Sequence, residues 1–176
     1  MQAKLLSTGR ILSFLVIMLS ARILAQGSFS YEDALDRGAA LMQASRYELA
    51  IRAYKEAARF SQGDSTVCQL GLAMAYNGIG ASKNAAKAAR KVIVASTDPE
   101  ILAMANNQLG VAVFSGARGR KGPLAEAERA FRQALKLSED EITIAAYNLG
   151  LVLLQLNRDS EGLSVFGHFL ELEPEG

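Results

Sequence analysis

Apolar residues in the last part of the chain recur at every third or fourth position, a spacing that predicts amphipathic helices. In residues 143–176 this pattern predicts two short helices joined by a turn at residues 157–159. Each helix has an apolar face, and a pair this small cannot bury both faces unless it stacks on similar pairs. The inward positions are Ala146, Leu149 and Gly150 in the first helix and Gly162, Phe166 and Phe169 in the second.

The same pattern occurs three more times before residue 143, so the chain is predicted to be an array of four helix pairs. A Leu-Gly pair marks the first helix of the last three copies, at residues 70–71, 109–110 and 149–150. Alanine is abundant, which favours helix over sheet because alanine is the least costly residue to place in a helix. The predicted copies span residues 31–64, 65–98, 99–138 and 143–176.

The last copy resembles the tetratricopeptide repeat (TPR), a family of helix-pair repeats of 34 residues. The positions that carry the resemblance are Leu149, Gly150, Leu153, Gly162, Phe166 and Pro174. The first copy keeps the same internal spacing, with Gly38 twelve residues before Ala50. The resemblance implies an all-α fold over residues 26–176, a right-handed α-solenoid of about four helix-turn-helix repeats. It also implies a function in protein–protein interaction rather than catalysis.

The second copy departs from this pattern because its second helix has no aromatic residue at the position of Phe166. We therefore expect that helix to pack closely but to bury less apolar area than the others. The Leu-Gly pairs of the second and third copies are 39 residues apart, and this excess is expected to lengthen the end of the second copy and the start of the third. Asp98 and Pro99 predict an N-cap and a first helical position for the third copy.

The third copy contains an insertion, because Gly110 and Ala127 are seventeen residues apart where the first and last copies have twelve. The intervening residues include three glycines, which predicts a mobile loop between two helices. Three bases, Arg118, Arg120 and Lys121, lie in this loop. Two interpretations remain open: a solvated, tolerated insertion, or a contact site for an acidic partner or for anionic lipid head groups.

By the resemblance, partners bind the concave surface, which is lined by the first helix of each pair. The residues that map to this surface are mostly apolar, which predicts capture of an extended or helical apolar segment. The alternative is that some of them belong to the core. Chaperone adaptors of this family bind a carboxylate with several Lys, Arg and Asn residues, which this set lacks. The predicted groove residues are Leu35, Ala39, Met42, Cys68, Leu72, Ala75, Asn107, Val111, Phe114, Tyr147, Leu151 and Leu154.

The first 25 residues are predicted to lie outside this fold. Lys4 and Arg10 precede an apolar run that ends at Leu19, and small residues follow, up to Ala25. This pattern is typical of a secretory signal peptide, which predicts an exported, periplasmic or extracellular protein. An uncleaved membrane anchor facing the periplasm and a mitochondrial presequence are the alternatives, and the membrane is expected to be contacted only through this segment.

Charge is nearly balanced overall but unevenly distributed. Without residues 1–25 the chain has 16 basic and 18 acidic residues, which gives no general case for binding nucleic acid. Residues 83–136 contain ten bases and four acids, whereas residues 138–176 contain one base and eight acids. Solvated helix faces explain this distribution, and so does attraction between molecules or to two partners of opposite charge.

The sequence contains little that could support catalysis. His168 is the single histidine and Cys68 the single cysteine, so we expect no metal site, no intrachain disulfide and no cofactor. The glycines near Lys121 lack the Gly-Lys-Ser/Thr ending of a phosphate-binding loop. The sequence thus predicts an interaction scaffold in a cell envelope, with a protein or peptide partner. The second interpretation is a homo-oligomer built through the C-terminal helix, which no further helix covers; a small enzyme is the third.

Overall fold

A computed structural model describes residues 30–62, 65–139 and 141–172 of the chain. The predicted signal segment, residues 1–25, lies outside this part, as does Pro174. The described residues form eight α-helices and no strand. The helices are α1 Tyr31–Gln43, α2 Tyr47–Phe60, α3 Thr66–Gly78, α4 Ser82–Ala95, α5 Pro99–Ala117, α6 Lys121–Ser138, α7 Thr143–Gln155 and α8 Asp159–Leu172.

The eight helices form four hairpins, each with its two helices inside one of the predicted repeats. Each turn within a hairpin has three residues. At least one residue of each turn is in the left-handed conformation: Ser45, Gly80, Arg118 with Gly119, and Asn157. Glycine and asparagine adopt this conformation at little cost, which is why short turns can form there. Every helix contacts the next one along the chain, so the described helices pack as a continuous array.

Side-chain caps fix two helix starts, and the one at Asp98 was predicted from the sequence. Asp98 caps α5, and its carboxylate accepts hydrogen bonds from the backbone N–H groups of Glu100 at 2.9 Å and Ile101 at 3.3 Å. Ser65 caps α3 and accepts a hydrogen bond from the N–H of Cys68 at 3.2 Å. These side chains satisfy N–H groups that have no partner inside the helix, and a cap of this kind is worth about 1 kcal/mol.

The prediction of a mobile inserted loop is wrong. Helix α5 continues seven residues past Gly110 and α6 begins six residues before Ala127, so the connection is only residues 118–120. In the last hairpin, α7 continues five residues past Gly150 and α8 begins three before Gly162. The five extra residues therefore lengthen both helices. The added turns bury Ala117 and Leu124 completely, and this burial favours helix over loop.

The Leu-Gly pairs of the second and third repeats are 39 residues apart, and the residues in excess of the usual 34 lengthen only one of the two segments expected. Helix α4 has 14 residues, the same length as α2 and α8, so the second repeat is not lengthened. Most of the excess lies at the start of α5, which begins eleven residues before Gly110, whereas α7 begins seven before Gly150. The cap at Asp98 and the proline after it set this earlier start.

The core is built mainly of buried alanine and leucine, and it includes close contacts between a glycine on one helix and an aromatic ring on another. A Cβ atom at Gly110 would lie 2.5 Å from Cε1 of Phe131, and one at Gly150 would lie 2.6 Å from Cε1 of Phe166. In the first two repeats a single ring, Tyr54, packs against two glycines: a Cβ would lie 2.7 Å from it at Gly38 and 2.5 Å at Gly71. The second repeat, whose second helix has no aromatic residue, therefore uses the ring of the first.

Gly110→Ala is expected to lower the free energy of unfolding by about 1–3 kcal/mol, because the added methyl group overlaps the buried Phe131 ring. Gly167→Ala is the matched control. That glycine lies inside α8 with no atom within 4 Å of its added Cβ, so the change should raise stability by about 0.5–1 kcal/mol. Urea unfolding followed by circular dichroism measures both. A Gly110→Ala variant as stable as Gly167→Ala would contradict the contact.

Candidate functional site

The inner face of the array is identified by which helices touch. Helices α1, α3, α5 and α7 each contact the next member of their own series, whereas α2, α4, α6 and α8 do not contact one another. The first series is therefore more closely spaced than the second, and the array curves with α1, α3, α5 and α7 on its inner side. This is the side on which the predicted groove residues were placed.

The structure divides the predicted groove residues into two groups. Leu72 and Asn107 are only 6% and 7% exposed, and Cys68 and Ala75 are fully buried, so α3 offers almost none of the predicted surface. Leu35, Met42, Val111, Phe114 and Leu151 are partly exposed, and Ala39, Tyr147 and Leu154 are exposed. Among the partly exposed residues, Leu35, Met42, Val111 and Phe114 also pack against the core. The buried members are thus core residues, as the alternative interpretation held.

A row of exposed apolar side chains lies along α7. Tyr147 and Leu154 are 40% and 36% exposed, Leu151 is partly exposed between them, and Ile144 is 52% exposed one turn before Tyr147. The spacing of three, four and three residues places these four side chains on one helix face. We call this row the α7 stripe: Ile144, Tyr147, Leu151 and Leu154.

Sequence reasoning missed Ile144 and also Met104, which is 39% exposed at the corresponding position of α5. Both lie three residues before a predicted groove residue, Tyr147 in α7 and Asn107 in α5. Residues three apart on a helix lie on the same face. That periodicity was the signal that could have added both residues to the predicted surface.

Tyr147 links the stripe to the last helix. Its ring centroid lies 5.6 Å from that of Phe166 and 5.7 Å from that of Phe169, with the planes tilted by 56° and 54°. Tilted aromatic pairs at this distance are attractive and limit the rotation of each ring. The stripe is therefore supported from behind by α8 and presents an ordered apolar surface.

Asn107 provides a polar feature on the inner side. Its side chain is buried, and its Oδ1 atom accepts no hydrogen bond from any described residue. A buried acceptor without a donor costs about 1–3 kcal/mol. The side chain of Asn77, by contrast, has hydrogen-bond partners: its Nδ2 group donates to the carbonyl oxygen of Gln108 at 3.0 Å and to the Oε1 atom of Gln108 at 2.9 Å.

The three bases of the predicted loop have different surroundings. Arg120 donates hydrogen bonds to the carbonyl oxygens of Ala117 at 3.1 Å and Gly116 at 3.2 Å, and it thereby caps the end of α5. Arg118 and Arg120 line a cleft of about 1150 Å³ between the turn of the second hairpin and the lengthened third hairpin. Lys121 is the exposed first residue of α6. Their contact with an acidic partner stays a prediction.

Helix α4 has an unusual charge pattern. It contains Lys83, Lys87, Arg90 and Lys91 and no acid. Arg90 pairs with Glu126 of α6 at 2.5 Å, but no described carboxylate pairs with any of the three lysines. The lysines are spaced four apart on one face, and each adjacent like-charged pair destabilises a helix by about 0.2–0.5 kcal/mol. We call these three residues the lysine stripe.

The acid that the structure buries, Glu128 of α6, has a structural role. Arg132 donates to its carboxylate, and Arg158, in the turn before α8, donates to the same oxygen at 2.6 Å. Arg158 also donates to Glu161, which holds the pKa of the Glu161 carboxyl below its ordinary value. These ion pairs connect the last two hairpins.

The described residues contain no cluster of His, Cys, Asp and Glu side chains that could hold a metal ion. None of the eight described helices combines the length and the apolar character that a membrane span requires. His168 lies on the exposed side of α8, with Nδ1 3.8 Å from the Glu171 carboxylate. The largest concentration of accessible apolar side chains on the inner side is the α7 stripe.

The stacked hairpins and their curvature define an all-α, TPR-like solenoid, the fold class predicted from the sequence. Solved structures with this fold include MamA from Desulfovibrio magneticus RS-1, residues 41 to the end, and a MamA RS-1 double mutant. They superpose with TM-scores of 0.70 and 0.69 at 18% identity, over 91% of this chain and 94% and 93% of theirs. No protein-family model and no curated protein sequence matches the chain.

Proposed function

We propose that this protein is a non-catalytic scaffold that binds an apolar, helical or extended segment of another protein on the inner face of its solenoid. The observation that carries the proposal is the α7 stripe, whose four apolar side chains are accessible on one helix face. A bound amphipathic segment would cover this stripe and remove apolar surface from water, which is the main source of affinity in such grooves.

The test compares Ile144→Glu/Leu151→Glu with Phe60→Glu in capture of partners from the cell envelope of the source organism. The paired change introduces two charges into the stripe. The control introduces one at a 50% exposed aromatic residue on α2, which belongs to the outer series. We expect recovery of the partner to fall at least about tenfold with the paired variant only. Equal recovery, with circular dichroism showing that all proteins are folded, would reject the proposal.

We also propose that the protein works outside the cytoplasm, on the basis of the charge and hydropathy pattern of residues 1–25. A fusion of this segment to an alkaline phosphatase, which is active only after export, tests the proposal. Strong phosphatase activity supports export. Activity equal to that of a fusion without the segment would reject it.

A second function is favoured by a separate observation. Leu163 and Leu170 on α8 are 67% and 63% exposed, and no described helix packs against that side. Exposed apolar side chains at the end of a repeat array favour association with another surface. The second candidate is therefore a self-associating module that uses the last helix.

A further inference from the structure

The second repeat carries a concentrated positive charge. Residues 65–97 contain four bases and no acid. Helix α3 contributes no charged residue, and three of the four bases are the lysine stripe of α4, with which no described carboxylate pairs. Like charges four residues apart oppose helix formation, so the arrangement weakens α4 in the free protein. A bound group of opposite charge would remove that penalty.

A cleft accompanies the stripe. Its volume is about 800 Å³, and its lining includes Gln69 of α3 with Lys87, Lys91 and Val94 of α4. Val94 is 88% exposed, which is unusual for a valine that follows two turns of buried alanine. The cleft thus combines cationic groups with an apolar contact. A segment that alternates acidic and apolar side chains has the matching chemistry.

Such a segment is present in the chain itself. Residues 159–176 contain five acids and no lysine or arginine, and the sequence from Leu170 reads Leu-Glu-Leu-Glu. Leu163 and Leu170 are exposed on α8, and the Glu171 side chain is 81% exposed. The acidic, apolar end of one molecule therefore complements the cationic, apolar second repeat of another in both charge and hydropathy.

We propose that the C-terminal segment of one copy, from Leu170 onward, binds along α3 and α4 of a second copy, with its carboxylates on the lysine stripe and its leucines against Val94. This inference rests on the second candidate function and names the surface that receives the last helix. It does not involve the α7 stripe.

The contact belongs between molecules rather than within one. Helices α4 and α8 do not touch, and α6 lies between them in the outer series. Two interhelical spacings of at least about 8–10 Å each separate the two helices. Among the described residues, α8 therefore makes no contact with the lysine stripe of its own molecule.

Reciprocal charge reversal tests the proposal, and both variants are made in the protein as it is isolated from the cell. One variant is Lys83→Glu/Lys87→Glu/Lys91→Glu and the other is Glu171→Lys/Glu173→Lys/Glu175→Lys. Sedimentation velocity should show that the unaltered protein self-associates. Self-association of each variant alone should be at least about tenfold weaker, because like charges then face each other. A mixture of the two variants should associate again, since each surface then meets its complement.

The matched control is Arg129→Glu/Lys136→Glu, which is compared with Lys87→Glu/Lys91→Glu and makes the same change in net charge at two exposed positions of α6. Its self-association should remain that of the unaltered protein. Raising the salt from about 50 mM to about 500 mM should weaken association of the unaltered protein, because exposed charges are screened.

The outcomes separate the inference from the function on which it rests. An unaltered protein that stays monomeric at every concentration would reject both. Self-association that survives both charge reversals, or that the α6 control weakens equally, would reject the lysine stripe as the receiving surface and leave self-association in place. Failure of the mixed variants to associate, with circular dichroism showing that both are folded, would also reject the pairing.

Discussion

Replacing Tyr54 with alanine is expected to lower the free energy of unfolding by about 3–5 kcal/mol, the range for removing a buried aromatic side chain. The side chain is 7% exposed and its ring packs against two glycines, Gly38 of α1 and Gly71 of α3. The change would therefore leave a cavity at the boundary between the first two repeats. In a repeat array the interface between neighbours provides much of the stability, so unfolding should also become less cooperative.

Urea unfolding followed by circular dichroism, with a second probe in α1, measures both effects. Tyr54→Phe is the control, because it keeps the ring and removes only the hydroxyl group.

Burial, with a smaller contribution from Cys68, raises the pKa of Tyr54 above its ordinary value. The folded state therefore holds the phenolic proton more tightly than the unfolded state, and this contribution is present below about pH 10 and lost as the pH rises further. Tyr54→Phe should lose less stability in that range than the unaltered protein.

A destabilisation of Tyr54→Ala below about 1 kcal/mol would contradict the shared ring contact. The same conclusion would follow if Tyr54→Phe were as destabilised as Tyr54→Ala at neutral pH. In that case the hydroxyl group and not the ring would hold the first two repeats together.

Phe131→Ala is expected to cost a similar amount, about 3–5 kcal/mol, because this ring is fully buried in the cluster that joins α5, α6 and α7. Phe60→Ala is the matched control. That ring is 50% exposed at the end of α2, so its removal should cost less than about 1 kcal/mol. Equal losses in the two variants, measured by urea unfolding, would contradict the assignment of Phe131 to the core.

A double-mutant cycle with Gly110→Ala examines the contact itself. With Phe131 present, the added methyl group overlaps the ring; without the ring, it enters the space that the ring left. The destabilisation caused by Gly110→Ala should therefore disappear in the Phe131→Ala background, giving a coupling of about 1–3 kcal/mol. Additive effects would show that the glycine and the ring do not meet.

The proposed binding surfaces depend on the same packing. The α7 stripe is held by the aromatic contacts of Tyr147 with α8, and α8 is joined to α6 by the ion pairs of Arg158. The lysine stripe lies on α4, the helix that has no aromatic residue and buries mainly alanine. Because alanine allows close approach but removes little apolar area from water, α4 contributes less to stability and leaves its outer face available for charge.

The sequence by itself determined the repeat architecture. Helical periodicity, the recurrence of the repeat pattern and the capping residue Asp98 are local properties, and they predicted the fold class and the start of α5. Local signals suffice here because each hairpin contacts mainly its neighbours in sequence. The glycine–aromatic contacts of the first and fourth repeats join residues sixteen apart, and the insertion lengthens this spacing to twenty-one residues in the third repeat.

The tertiary structure decided where extra residues go and which side chains reach solvent. The inserted residues with their three glycines favour a loop locally, but burial of Ala117 and Leu124 outweighs that preference and lengthens two helices. Leu72 and Tyr147 both lie on inner-series helices at positions assigned to the groove. Leu72 is buried because α3 contacts an inner-series helix on each side, α1 and α5. Tyr147 stays exposed because α7 contacts only one described inner-series helix, α5. Exposure depends on how many neighbours surround a position, and a single repeat in the sequence contains no information about its neighbours.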